Sequence, residues 1–359
     1  MAKKATRPEM SWVESRQQYR KRVVINGVSH DVWGRTKPEV RAKVKELGQR
    51  IEKKANAWKQ IPLVALIREW LPVKTANLTY KSADAYVNAV NNHIAPFFGN
   101  MLLTEVKPFD IQRFMATKAN LSRSSQSKIL FTLKQVFDTA EQNGYIDKNP
   151  CKGIKAHGEP SQPKTPLTTG QQKHITQAVG GTRAELFVLL CLYAGLRREE
   201  ALGLQWDNVS LKGTPYINVR HTVTFGDGGK PIYSTKLKSR AAYRTIPTPA
   251  ILTNALRKAK ETAASAFVVP AVNSGGEMSL IAFRRLWDIV KRAVGNEYHV
   301  TPHILRHTYL TELCAAGMDI KKIQYLAGHE DVAMTLRIYA HVKDNAPEEL
   351  AGLIEGVFA

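Results

Sequence analysis

The run Glu185-Leu-Phe-Val-Leu-Leu-Cys-Leu-Tyr-Ala194 constrains this chain more than any other stretch. As a helix it would be apolar on nearly every side, so it cannot lie on a surface, where an amphipathic helix keeps one face for water. It must be wrapped by other elements. With 359 residues and 43% hydrophobic content, the chain is long enough for two or three domains with cores of their own. The buried run leads straight into Ala194-Gly-Leu-Arg197-Arg-Glu-Glu200, so a core element delivers an arginine and a carboxylate three residues apart.

A second polar cluster lies between Thr301 and Tyr339. Thr301 as N-cap and Pro302 at the first helical position predict a helix start, and His303, Arg306 and His307 then stand at i, i+3 and i+4 on its first turns. Such a group of donors is suited to an anion. His329 follows Gly328 after a helical stretch over Ile320–Leu326, and Tyr339 lies in a further periodic segment with Met334, Leu336 and Ile338. Tyr339 is a candidate nucleophile behind these cations. The array is no metal ligand set, because arginine cannot coordinate.

Charge narrows the partner. The formal net charge is +21, and residues 1–60 carry 16 Lys and Arg against 6 Asp and Glu. In a chain without a basic amphipathic anchor, that excess points to nucleic acid rather than a membrane surface. Cys151, Cys191 and Cys314 lie far apart with no paired spacing, against a disulfide framework or a zinc site and in keeping with a reducing cytoplasm. The start lacks the apolar segment of a secretion signal, and no run reaches the roughly 18 apolar residues of a membrane span. A cytoplasmic location is expected.

In order along the chain, Ser11–Trp33 alternates in strand fashion around Asn26-Gly27, predicting two or three antiparallel strands. Thr36-Lys-Pro-Glu39 reads as a capping box opening a charged helix, Val40–Lys54. A small sheet backed by a helix can enter a DNA groove, with Arg16, Arg20, Lys21, Arg22, Arg35 and Lys37 as candidate contacts. Residues 61–153 read as a four-helix bundle over Leu63–Leu71, Ser82–Ile94, Pro108–Lys118 and Ser125–Gln142. Arg123, Ser124 and Lys128 at the last helix start could hold a backbone phosphate, while N-capping by serine explains the serines equally well. A Pro- and Gly-containing linker at 154–166 follows. Beyond it, helices are expected at Gly170–Val179, Glu185–Ala194, Pro249–Ala264 and Leu280–Val294, and strands at Tyr216–Val219, Ile232–Ser234 and Tyr243–Ile246. Thr235–Arg240, with Lys236, Lys238 and Arg240, is expected as a basic turn on a hairpin that reaches into a DNA groove, with Lys236 and Arg240 as candidate contacts. The fold class is multidomain α+β: a small sheet with a helix, a helical bundle, and a mainly α domain with a small antiparallel sheet.

The segments Ala194-Gly-Leu-Arg197-Arg-Glu-Glu200, His303-Ile-Leu-Arg306-His307, Leu326-Ala-Gly-His329 and Tyr339 resemble, in order and spacing, the signature of the tyrosine recombinases, also called phage integrases. Residues 61–153 resemble that family's core-binding domain, and 11–55 the arm-binding domain of integrases from phages and conjugative transposons. The resemblance implies an arm-type domain at 1–58, a core-binding domain at 59–153 and a catalytic domain at 167–345. A C-terminal helix at 346–359 has an apolar face (Leu350, Leu353, Ile354, Val357 and Phe358) too small to fold alone, so docking on a neighbouring subunit is expected, with docking in cis as the alternative. It implies that Arg197 and Arg306 hold the scissile phosphate, that Tyr339 attacks it, and that His303 and His329 assist. Glu200 is expected to buttress an active-site side chain, and His307 to pack in support of its helix. The family's acid is a lysine, and the spacing to Arg244-Thr-Ile-Pro247 selects Lys238 over Lys236.

The implied activity is site-specific recombination through a 3′-phosphotyrosyl intermediate and a Holliday junction, without cofactor or metal. The implied partners are double-stranded DNA at core and arm sites, three further copies of the chain, a host DNA-bending protein and an excisionase. Two other readings compete: a type IB topoisomerase sharing the tyrosine chemistry, and a catalytically idle DNA-binding regulator. The arm-like domain argues against the first, and the complete site set against the second.

Overall fold

The computed structural model describes residues 10–25, 28–59, 61–99, 101–159 and 165–342, without the side chains of 53–59, 337 and 339–342. They fall into two compact units that divide between residues 162 and 163, within the Pro- and Gly-containing stretch.

The first unit opens with an antiparallel meander, β1 (Ser11–Val13), β2 (Gln18–Ile25) and β3 (Val28–Gly34), in the order β1-β2-β3. Ile25 pairs with Val28, and Asn26-Gly27, where the turn is expected, lie outside the described residues. Helix α1 (Lys37–Lys59) covers one face, where Val32 and Val40 are buried. Gly34 is needed there, because a Cβ at that position would lie 2.9 Å from a Val40 methyl. The expected cap is present: the Glu39 amide donates to Thr36 Oγ1 at 3.3 Å.

Four further helical stretches follow: α2 (Leu63–Thr75), α3 with α4 (Tyr80–Ala89 and Ala95–Phe98), α5 (Pro108–Ala116) and α6 (Arg123–Gln142). Between α3 and α4 the helix widens into one π turn, Val90–Ile94, which turns both Val90 and Ile94 into the core. Leu63, Leu66, Ile67 and Trp70 on α2 meet Ile111 and Phe114 on α5 and Leu133, Val136 and Phe137 on α6. Their three- and four-residue spacing is the periodicity read in the sequence.

The second unit is built around α8 (Glu185–Tyr193), where Phe187 to Leu192 are all buried, as an all-round apolar helix requires. Helices α7 (Thr169–Ala178), α10 (Ala250–Glu261) and α12 (Pro302–Ala315) pack around it, α9 (Arg198–Gly203) follows it, and α11 (Leu280–Val294) lies against α7. Helices α13 (Ile320–Ala327) and α14 (Val332–Val342) pack on α12 over a smaller apolar cluster of Leu310, Cys314, Ile323 and Ala327.

The strands differ from expectation. Among the described residues of this unit there are two small sheets: β4-β5-β8 (Val209–Ser210, Tyr216–Val219, Arg244–Pro247) and a ribbon of β6 (Thr222–Phe225) with β7 (Pro231–Ser234). The loop 235–239 therefore does not close a hairpin between β7 and β8; it runs from one sheet to the other. The alternating run Thr222-Val-Thr-Phe225, absent from the sequence reading, takes the place beside β7, with Thr222 opposite Ser234. No described helix is long and apolar enough to cross a membrane.

Candidate active site

Two tight turns bring the site together. After α8 the chain reverses at Gly195, whose φ of 60° suits glycine. A Cβ there would lie 2.3 Å from the Tyr309 ring. Arg197 then caps α9, its amide held by Glu200 Oε2 at 2.8 Å. The second turn is Gly328, also at φ 60°, which ends α13. A Cβ on Gly328 would meet Arg244 Nη1 at 2.9 Å.

Glu200 lies under both turns, 4% exposed, with three guanidiniums around it. Arg244 donates to both its oxygens, Nη1 to Oε1 at 3.0 Å and Nη2 to Oε2 at 2.8 Å. Arg197 Nη1 donates to Oε1 at 2.8 Å, and Arg306 Nη1 is 4.0 Å from Oε2. Burial would push this carboxyl up, but Arg244 foremost, then Arg306 and Arg197, outweigh it and hold Glu200 down at about 2. Burial and the two neighbouring arginines pull Arg306 down to about 9, against Glu200, so it stays charged at neutral pH.

The same three arginines take three successive carbonyls at the end of α13. Arg244 Nε donates to Leu326 O at 2.8 Å, Arg306 Nη2 to Ala327 O, and Arg197 Nη2 to Gly328 O at 2.9 Å. These are carbonyls that a helix leaves unmatched at its negative end. Arg306 Nη1 also donates to Gly195 O at 2.5 Å, joining the two turns.

His329 follows directly and is 7% exposed. Its Nε2 lies 3.3 Å from Arg306 Nη2 and its Nδ1 2.9 Å from Thr335 Oγ1. Burial first, then Arg306, Arg197, Arg244 and His303, lower it to about 4, so the ring is neutral at pH 7. One carboxylate thus faces three guanidiniums, and the site keeps a positive surplus beside a neutral imidazole. That arrangement can bind one further anion.

The structure brings Arg197, Glu200, Arg306 and His329 into one network. His303 is exposed near the start of α12, where Thr301 caps the helix through the Ile304 amide, and His307 is half-buried on the same helix. The sequence places Arg306 on the same turns as these two histidines, but in the structure Arg306 points into the protein. Tyr339 lies on α14, its side chain outside the described residues. Lys236 and Lys238 are both exposed and flank buried Leu237. The Tyr243 hydroxyl fixes this loop, accepting from the Leu237 amide at 3.1 Å and donating to Thr235 O at 3.0 Å. Arg240 is exposed on the short turn after it.

In the first unit, Arg20 and Arg22 share the sheet face turned away from α1, and both pair with Asp31, at 2.6 and 3.0 Å. Arg16 and Arg20 lie 4.7 and 5.5 Å from the centre of the Trp33 ring. Lys21 falls on the opposite face, in register with buried Val32. Arg35 is exposed, and Lys37 lies 5.5 Å from the Tyr19 ring centre. At α6, Ser122 caps the helix through the Ser125 amide, and the Arg123 amide donates to Glu159 O, while Ser124 and Lys128 are exposed.

Sequence reading missed Arg244 and Thr335 as members of the site. For Arg244 the signal was present: in Arg244-Thr-Ile-Pro247 it alternates onto the same side as Ile246, and an arginine on the buried side of a strand needs a carboxylate. Thr335 carried no such mark.

The model of the phage integrase family matches residues 167–346, and that of its N-terminal SAM-like domain matches 63–118. A tyrosine recombinase XerC-like protein of Caldanaerobacter subterraneus is 28% identical, covering 94% of this chain and 97% of its own length. An integrase of Streptomyces ambofaciens is 24% identical over 100% of this chain and 98% of its own. Among solved structures, the Tn1549 transposon integrase in complex with a circular intermediate DNA superposes with a TM-score of 0.72 at 20% identity, covering 83% of this chain and all of that one. A lambda integrase dimer bound to a core site gives 0.63 at 15% identity over 94% and 96% of the two chains. The first family match takes in the whole arginine network and the helix of Tyr339, and the chain belongs to the phage integrase family of site-specific DNA recombinases.

Proposed function

We propose that Tyr339 is the nucleophile of this recombinase and that Arg197 and Arg306 hold the scissile phosphate. The observation that carries the reading is the buried network of three guanidiniums around one carboxylate, which leaves positive charge for a phosphodiester. Arg197, with about a third of its side chain exposed (34%), would meet one non-bridging oxygen, and Arg306 the other. The Tyr339 oxygen bonds to phosphorus as the bond to the 5′-oxygen breaks. The phenolic proton passes to His303, and the departing oxygen takes one from Lys238. The phosphodiester energy is kept in a 3′-phosphotyrosyl link, so a free 5′-hydroxyl can reverse the step. Fixed cations aimed at a phosphorus gaining negative charge supply the main stabilisation.

Division of labour along the chain follows. Residues 1–58 would read arm sites through the Arg16, Arg20, Arg22 and Trp33 face, residues 59–153 would grip the core site with Arg123, Ser124 and Lys128, and 167–345 would cut and rejoin. Strand exchange would pass through a Holliday junction in a four-subunit assembly in the cytoplasm, with residues 346–359 docking between subunits and with a DNA-bending protein and an excisionase as helpers. A nicked suicide duplex tests the chemistry: the wild type becomes covalently attached to DNA and Tyr339→Phe does not. Attachment in the variant would overturn the assignment.

A further inference from the structure

We propose that Thr335 is a positioning residue that keeps His329 Nδ1 hydrogen-bonded whichever ring nitrogen carries the proton, and so links the seating of the Tyr339 helix to the phosphate site. The inference rests on the reading of Tyr339 given above. Thr335 is fully buried on α14, four residues before Tyr339 and therefore on the same side of the helix. Its hydroxyl meets His329 Nδ1 at 2.9 Å instead of serving its own helix.

The other ring nitrogen decides the proton's place. Arg306 Nη2, 3.3 Å from His329 Nε2, can only donate. Nε2 therefore presents its lone pair to Arg306, and the proton sits on Nδ1, donated to Thr335 Oγ1. The ring is neutral at pH 7, held down to about 4 by burial and by the arginines, so it carries one proton and not two.

That tautomer cannot donate to a phosphate from Nε2. When an anion draws on Arg306, the imidazole can release the Nδ1 proton to water and take one at Nε2, with no net change in charge. Thr335 then turns its hydroxyl from acceptor to donor and satisfies the bare Nδ1. A hydroxyl serves both states; a methyl in its place serves neither. Because the hydroxyl rides on α14, His329 is set only when the helix bearing the nucleophile is seated.

The test compares Thr335→Val, which keeps the shape, with Thr335→Ser, which keeps the hydroxyl. Single-turnover cleavage of the nicked duplex is expected to fall about 10- to 100-fold in the valine variant, the scale of loss when the hydrogen-bonding partner of a metal-bound histidine is removed. Serine should restore the rate to within about 3-fold, on the same scale. With 15N-labelled histidine, His329 should show its proton on Nδ1 in the free wild type and on Nε2 in Tyr339→Phe bound to the duplex, and in free Thr335→Val the Nδ1 proton should exchange faster with water. An unchanged rate in Thr335→Val, an equal loss in both variants, or an Nδ1 proton whose exchange is indifferent to the valine would each overturn the proposal. If Tyr339→Phe still becomes attached to DNA, it is the nucleophile assignment that fails, whatever Thr335 does.

Discussion

Replacing Glu200 with glutamine isolates what the buried carboxylate contributes. The change keeps the shape and removes one negative charge from among Arg197, Arg244 and Arg306. The carboxyl is held at about 2 against an ordinary 4.5. Through linkage that difference corresponds to roughly 3 kcal/mol of stability at neutral pH, an order-of-magnitude figure. It agrees with the 3–5 kcal/mol typical of breaking a buried ion pair from one side. For a unit of this size, about 3 kcal/mol is a fall of roughly 6–12 °C in the melting temperature of the second unit. Thermal unfolding of wild type and Glu200→Gln at pH 7 should show that gap. A depressed carboxyl stabilises above its unfolded value and loses its effect as pH falls through the folded one. The gap should therefore be full above pH 4.5 and narrow as pH drops towards 2. Melting temperatures within 2 °C of each other at pH 7, or a gap that widens in acid, would refute the reasoning.

Lys238→Ala should slow cleavage of an ordinary duplex by about 100-fold or more, the usual contribution of a general acid, and leave cleavage nearly untouched when sulfur replaces the departing 5′-oxygen, since a thiolate leaves without a proton. Lys236→Ala should do neither; the reverse pattern would reassign the acid. Cleavage of the suicide duplex should proceed at an unchanged rate in excess EDTA, because guanidiniums supply the charge that a metal supplies elsewhere, and a strict need for Mg²⁺ in the chemical step would contradict this. Removing Glu348–Ala359 should impair assembly of the four-subunit complex on native gels while monomeric DNA binding persists; assembly at wild-type levels would mean that the segment does not act between subunits.

What could be read in the sequence was set by local periodicity. The all-round apolar run at 185–194 announced a central helix and became α8, and the spacing in 129–140 marked the buried face of α6. Caps were equally legible, at Thr36 and Thr301, because an N-cap is decided within four residues. Sheet partners were not: β7 has β6 beside it and not β8, a choice made by packing and not by the loop between them. At the site, residue types were visible but their directions were not. Arg306 looks like a surface cation in sequence, and only its meeting with Gly195, Ala327 and Glu200 turns it inward. Likewise Arg20 and Arg22 read as free contacts for DNA until the pairing of β2 with β3 sets Asp31 against both.

The three guanidiniums rest on the main chain at Leu326, Ala327 and Gly328, and a peptide oxygen is supplied by any amino acid. Point substitutions at positions 326 and 327 therefore leave the holding groups in place, provided the new side chain can be packed. Length is another matter. One residue inserted between Leu326 and His329 would rotate the following acceptors by about 100° around the helix axis. Several arginines would lose their seats at once. This segment should thus tolerate change of letter and refuse change of number.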